Sequence, residues 1–234
     1  MSLYRNEFIE AIERKLSHPP NIESEQYGLA LDEAIVEYSY FVPLVQISDT
    51  TGNGTFEVSL PADWNSTYSN IMGIEYPYDS TVQHPTMLAE SDYTIYQVSN
   101  STYHLRLYTA QPTTGEILRI SYTVPHTVTT TATSISITDE RNVLNYACGL
   151  VCEIIAAEFE KQSRTSLPNV TVDLQMKYQQ WQTTADRYYQ RWRTGMKISD
   201  DTKPRAASTW TNIQGQFSWR RPWITHPPVW RNRK

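Results

Sequence analysis

The chain has 234 residues, 39% of them apolar, which is enough to bury a sizeable core in one domain or one domain with appendages. Mean hydropathy is −0.53, no run approaches the roughly 18 apolar residues of a bilayer span, and the start, MSLYRNEFIEAIERK, is charged and amphipathic, so neither a membrane span nor a secretory leader is expected. The net charge of −5 is divided: residues 1–194 hold 12 basic and 23 acidic side chains (−11), and residues 195–234 hold 8 and 2 (+6), giving an acidic body with a basic tail.

In chain order, Ser2 can cap a first helix reaching about Ser17, with Phe8 or Ile9, Ile12 and Leu16 on one face, and His18-Pro19-Pro20 ends it. Ser24 can cap a second helix through Phe41, striped by Tyr27, Leu31, Ala34, Ile35 and Tyr38 and closed by Pro43. From Val42 the period changes to two. Phe56, Val58 and Leu60 alternate with polar residues after the turn Thr51-Gly52-Asn53-Gly54. Further strands are expected at Ile71–Tyr76, Tyr93–Val98, Tyr103–Thr109 and Ile117–Val124, which gives five or six strands in one antiparallel sheet inserted between helices.

The longest apolar pattern lies between Thr138 and Gln162, where Val143, Ala147, Leu150, Val151, Ile154, Ile155 and Phe159 recur at helical spacing. Thr138 is the expected N-cap, with Asp139 and Glu140 where the helix dipole favours negative charge. Ala147, Gly149, Ala156 and Ala157 let neighbours approach closely, so this helix should be central and covered on more than one side. Cys148 and Cys152, one turn apart on it, read as buried free thiols.

Beyond Pro168-Asn169, Leu174, Tyr178, Trp181, Ala185, Tyr188 and Trp192 follow at spacings of 4, 3, 4, 3 and 4, a heptad seam of large aromatics ending at Gly195. Such a seam closes either against the central helix in an antiparallel hairpin or against a neighbouring subunit, which makes Tyr178, Trp181, Tyr188 and Trp192 inter-subunit candidates. From Lys197 the periodicity stops. The remaining arm carries four of the seven tryptophans and four prolines, and cannot form a core of its own. Trp210, Phe217, Trp219, Arg220, Arg221, Trp223, Trp230 and Arg231 are its candidate partner-binding residues, since Trp and Arg are the usual anchors of interfaces.

The expected architecture is therefore α+β: a helical bundle core with an inserted antiparallel β-domain and an extended C-terminal arm. Its parts are a helix pair (1–41), the β-rich insertion (42–126), a long helical hairpin completing the core (127–195) and the arm (196–234). Residues for chemistry are sparse. The five histidines have no ligand spacing, and there is no HExxH, GxGxxG, GxSxG or phosphate loop. Asp63 beside Trp64 is accounted for by a turn, and Asp79, Glu90 and Asp92 lack calcium-loop spacing. No enzyme, cofactor or metal is expected. Direct DNA binding by the basic aromatic arm is opposed by the acidic body, whose walls suit DNA sliding past without sticking.

Several motifs occur in a definite order: Tyr38-Ser39-Tyr40, Leu60-Pro61-Ala62-Asp63-Trp64, Gly73-Ile74-Glu75-Tyr76-Pro77, Asp92-Tyr93, the strand Arg119–Tyr122 followed by His126, and the helix 139–162. With the helix–sheet–helix layout and terminal arm, this order resembles the head–tail connector (adaptor, head-completion) proteins of tailed bacteriophages over about residues 3–195. The resemblance implies a virion structural protein at the head–tail interface, made in the host bacterial cytoplasm. It implies a homo-oligomeric ring, commonly of twelve copies, whose arm docks on the portal protein and whose other side receives tail or neck proteins, with DNA passing through. The alternative is another neck or tail component, a tail terminator or a carbohydrate-binding tail module using Tyr76, Tyr78, Tyr93, Tyr96, Tyr103 and Tyr108.

Overall fold

Period-two and helical stretches of the sequence become four helices and six strands in the computed structural model, which describes residues 2–17, 22–99, 102–165 and 168–199. The fold is α+β, with two small antiparallel sheets. The arm candidates Trp210, Phe217, Trp219, Arg220, Arg221, Trp223, Trp230 and Arg231 lie outside the described residues. The chain divides into a helical unit, residues 1–39 and 125–202, and a second unit whose described part is residues 40–99 and 102–124.

In the helical unit, α1 (Arg5–Lys15) buries Phe8, Ile12 and the following Leu16, one stripe at helical spacing. The N–H of Tyr4 donates to Glu7 at 2.8 Å and Tyr4 stands at the cap, so this helix starts two residues later than a Ser2 cap would place it. The helix α2 (Ser24–Phe41) ends at the expected Phe41, and Ser24 is its first residue and not its cap. Arg5 pairs with Asp32 through both guanidinium nitrogens, tying α1 to α2.

The helix α3 (Glu140–Thr165) begins one residue later than a cap at Thr138 would place it. The N–H groups of Asp139 and Glu140 both reach the Ser136 carbonyl, and Thr138 Oγ1 pairs with Ser136 Oγ at 2.9 Å, so Asp139, not Thr138, flanks the helix. Asp139 then accepts from the Tyr38 hydroxyl at 3.0 Å and from Asn142 at 3.4 Å. Glu140 is buried and accepts the Leu3 N–H at 2.8 Å, anchoring the chain's first residues. Val143, Ala147, Val151 and Ile155 are buried along one stripe, and Leu144, Cys148, Cys152 and Ala156 along the next, so two faces are covered; Leu150, Ile154 and Phe159 are only half-buried. By length and hydropathy (1.2 over its most apolar window) α3 could cross a bilayer, yet 61% of that window is buried inside the fold, as in a core helix. The helix α4 (Pro168–Gly195) packs against it as an antiparallel hairpin.

In the second unit, β1 (Leu44–Thr51), β6 (Ile117–Val124) and β3 (Ile71–Glu75) form one sheet, ordered β1-β6-β3. The second sheet, ordered β2-β5-β4, contains β2 (Glu57–Ser59), β5 (Thr102–Leu107) and β4 (Tyr93–Ser99). The single expected sheet is thus two. The chain leaves β5, turns at Gly115 (φ 99°, a left-handed position suited to glycine) and pairs β6 with β1, full length from Leu44↔Val124 to Thr51↔Ile117. Leu118, Ile120, Tyr122 and Val124 of β6 point inward with Ile74, and meet Val58, Leu105 and Leu107 of the other sheet in one core.

Candidate interaction surfaces

The aromatic seam of α4 is occupied unevenly. Ala185, Tyr188 and Trp192 are buried inside the helical unit, whereas Tyr178 and Trp181 are half-exposed. The buried end is closed by residues that the seam pattern does not include. Tyr146 of α3 meets the Trp192 ring edge-on at 4.7 Å between centroids and the Tyr189 ring at 5.3 Å. The Tyr189 ring lies against Gly149, where a Cβ would come within 2.6 Å of it, so glycine is needed for close approach. Gly149 was legible as a small residue. Tyr146 and Tyr189 fall one position off the two apolar stripes and carry no signal of their own. Burial, with Glu153 nearby, holds the Tyr189 hydroxyl well above the ordinary phenol range.

Cys148 and Cys152 are free and buried, and burial pushes each thiol up to about 12. Thiols held neutral in this way are structural. His126 sits against Tyr38, ring centroids 5.0 Å apart, with its backbone N–H donating to Ser39 Oγ at 2.9 Å and its Nδ1 3.0 Å from Ser134. Tyr38, Ser39 and His126, three residues of the ordered motifs, therefore fasten the end of α2 to the segment that leads toward α3.

In the β unit, Asp63 lies beside the buried Tyr122 hydroxyl, which burial and then Asp63 hold above the usual range, and Trp64 packs on the same ring at 6.2 Å. Asp79 accepts both the N–H and hydroxyl of Thr81, and Asp92 accepts the Ala89 N–H, so both carboxylates serve local turns. The tyrosines are not brought to one platform. Tyr76 donates to Glu116 at 2.5 Å and is pushed up to about 12, first by that bond. Tyr78 lies under the Arg119 guanidinium at 3.5 Å, while Tyr93 packs on the core between the sheets. Tyr96 faces His104 at 6.2 Å, Tyr103 is half-buried on β5, and Tyr108 is exposed beyond that strand. On the outer face of β1, Arg119 forms a two-nitrogen ion pair with Asp49 at 2.7 and 2.8 Å, and Val45 and Ile47 are exposed. That face was not anticipated from the sequence: Val45 and Ile47 look like core residues until the register assigns them outward.

No protein-family model matches the chain, and no curated protein matches it. Among solved structures, it is similar to a chain of "Neck of empty GTA particle computed with C6 symmetry", with 12% identity and a TM-score of 0.30 over 60% of this chain and 74% of that one. At that level the likeness is too slight to carry a role from one chain to the other.

Proposed function

We propose that this chain is a structural, non-catalytic neck subunit of a tailed phage-like particle: a ring-forming adaptor that docks on the portal through its arm and connects it to the tail. The observation that carries the reading is the division of labour along the sequence. Residues before 196 already supply both cores, eight buried side chains between the sheets and the α3–α4 packing. Four tryptophans and a charge of +6 are set apart in the last 40 residues. Tryptophan and arginine are the usual anchors of protein interfaces. Repetition around a ring would turn modest contacts into a stable joint. An acidic body of −11 suits a lumen through which DNA slides. The half-exposed Tyr178 and Trp181 are the part of the seam open to a neighbouring copy. Such a protein would be made in the host cytoplasm and reside in the virion.

The test is the mass of the purified protein, alone and with the portal of the same particle, for the full chain and one ending at Met196. The reading expects a ring-sized complex that forms only when residues 197–234 are present. A full-length protein that ignores the portal would overturn it.

A further inference from the structure

The sheet β1-β6-β3 has two unlike edges. Outside β3, the Leu88 N–H donates to Ile74 at 2.8 Å and the Tyr76 N–H to Thr86 at 3.0 Å, so a loop covers that edge. Outside β1, eight residues long, no segment pairs among the described residues. The β1 edge contains no lysine or proline, and Val45 and Ile47 are 51% and 62% exposed on its outer face. A long open edge with exposed apolar residues is a template for another strand.

A matching strand is written in the arm. In Asn212-Ile213-Gln214-Gly215-Gln216-Phe217-Ser218-Trp219-Arg220, Ile213, Phe217 and Trp219 alternate with polar residues over nine positions, with Gly215 holding the place between. The charges are complementary as well. Residues 40–124 hold 8 acidic and 2 basic side chains (−6) against the +6 of residues 195–234. Twelve residues, 200–211, separate this stretch from Ser199 and reach at most about 40 Å. A tethered segment meets its own chain at an effective concentration of order millimolar, well above that of a second copy in dilute solution.

We propose that residues 212–220 add to the free edge of β1 in the same chain as a fourth strand. Ile213, Phe217 and Trp219 lie on the Val45–Ile47 face, where aromatic and β-branched residues pair well across strands. The open edge of β1 is then covered before any partner is met. Pairing takes up Phe217, Trp219 and Arg220 of the candidate partner-binding residues and leaves Trp210, Arg221, Trp223, Trp230 and Arg231 for a partner; the inference is argued from the β1 edge and does not rest on the adaptor reading.

The test is amide hydrogen exchange of β1, followed residue by residue by NMR in the full-length protein, with light scattering in parallel. The variant carries Gly215→Pro and Gln216→Pro, neighbours whose N–H groups point to opposite sides of a strand, so one donor toward β1 is lost whichever register is adopted, without touching either core. The expected result is that the β1 amides pointing away from β6 are protected in the native protein. They exchange at least about tenfold faster in the variant, while the β6-facing amides are unchanged and both proteins are monomers. Outward amides that are unprotected in the native protein, or equally protected in the variant, would overturn the proposal. So would protection seen only in species larger than a monomer, which would assign the edge to a second copy. The portal takes no part, so either outcome leaves the adaptor reading to its own experiment.

Discussion

The two halves of α4 carry the same heptad spacing and meet different surroundings. From Ala185 to Trp192 the seam is buried, closed by Tyr146 and by the slot at Gly149 that admits Tyr189. From Val172 to Trp181, Val172 and Met176 are more than half exposed, and Leu174, Tyr178 and Trp181 are half-buried. Opposite this half the α3 residues Ile154 and Phe159 are themselves half-exposed, and the aromatic contact there is the Lys177 ammonium 5.5 Å from the Phe159 ring. Heptad spacing states which side chains can share a seam. The size of the residues facing them decides whether the seam closes within the chain.

Substitutions on the two halves should therefore separate widely. Trp192→Ala removes a buried indole from the closed half and should cost about 3–5 kcal/mol, read as a lower denaturant midpoint with an unchanged slope. Gly149→Val drives a branched side chain into the Tyr189 ring and should cost about 1–3 kcal/mol from overpacking, measured in the same way. If Gly149→Val were neutral, the slot would not be what closes this half. Tyr178→Ala combined with Trp181→Ala should change stability by less than about 1 kcal/mol, as is usual for partly exposed positions. Its effect should instead appear in assembly, as a loss of ring-sized mass in the presence of the portal. A large stability loss with assembly intact would place both residues in the monomer's core.

The same contrast explains what could be read from the sequence. Elements stabilised by their own periodicity were legible: α2 starts within one residue of the expectation and ends at Phe41 as expected, and β6 has its expected ends at Ile117 and Val124. Features set by distant partners were not. That β6 pairs with β1 and β3, making two sheets, depends on contacts 40 to 80 residues apart, to which alternation is blind. Thr138 does not cap α3 because its hydroxyl pairs with Ser136, and the Asp139 carboxylate that flanks the helix instead is held by Tyr38, a hundred residues upstream. Of the candidate surfaces, the α4 seam was legible as spacing, and its open half was not, because openness is a property of α3. The outward face of β1 was hidden for a related reason: Val45 and Ile47 are apolar, and only the register turns them to solvent.

That face supplies the smallest and most specific effect. The guanidinium of Arg119, bonded to both carboxylate oxygens of Asp49, holds Asp49 below the ordinary carboxylate range. A carboxylate with a depressed pKa in the folded state adds stability above its unfolded value, about 3.9, and that contribution disappears as pH falls through the folded value. Both side chains are substantially exposed, so solvent screens the pair and the contribution is small. Asp49→Asn should lower Tm at pH 7 by about 1 °C or less, with native and variant curves converging in acid once Asp49 is protonated in the folded state. Added salt should shrink the pH 7 difference further. A difference that persisted at pH 2 or in high salt would mean that Asp49 acts through strand packing, and that the charged and apolar parts of the β1 face are not independent.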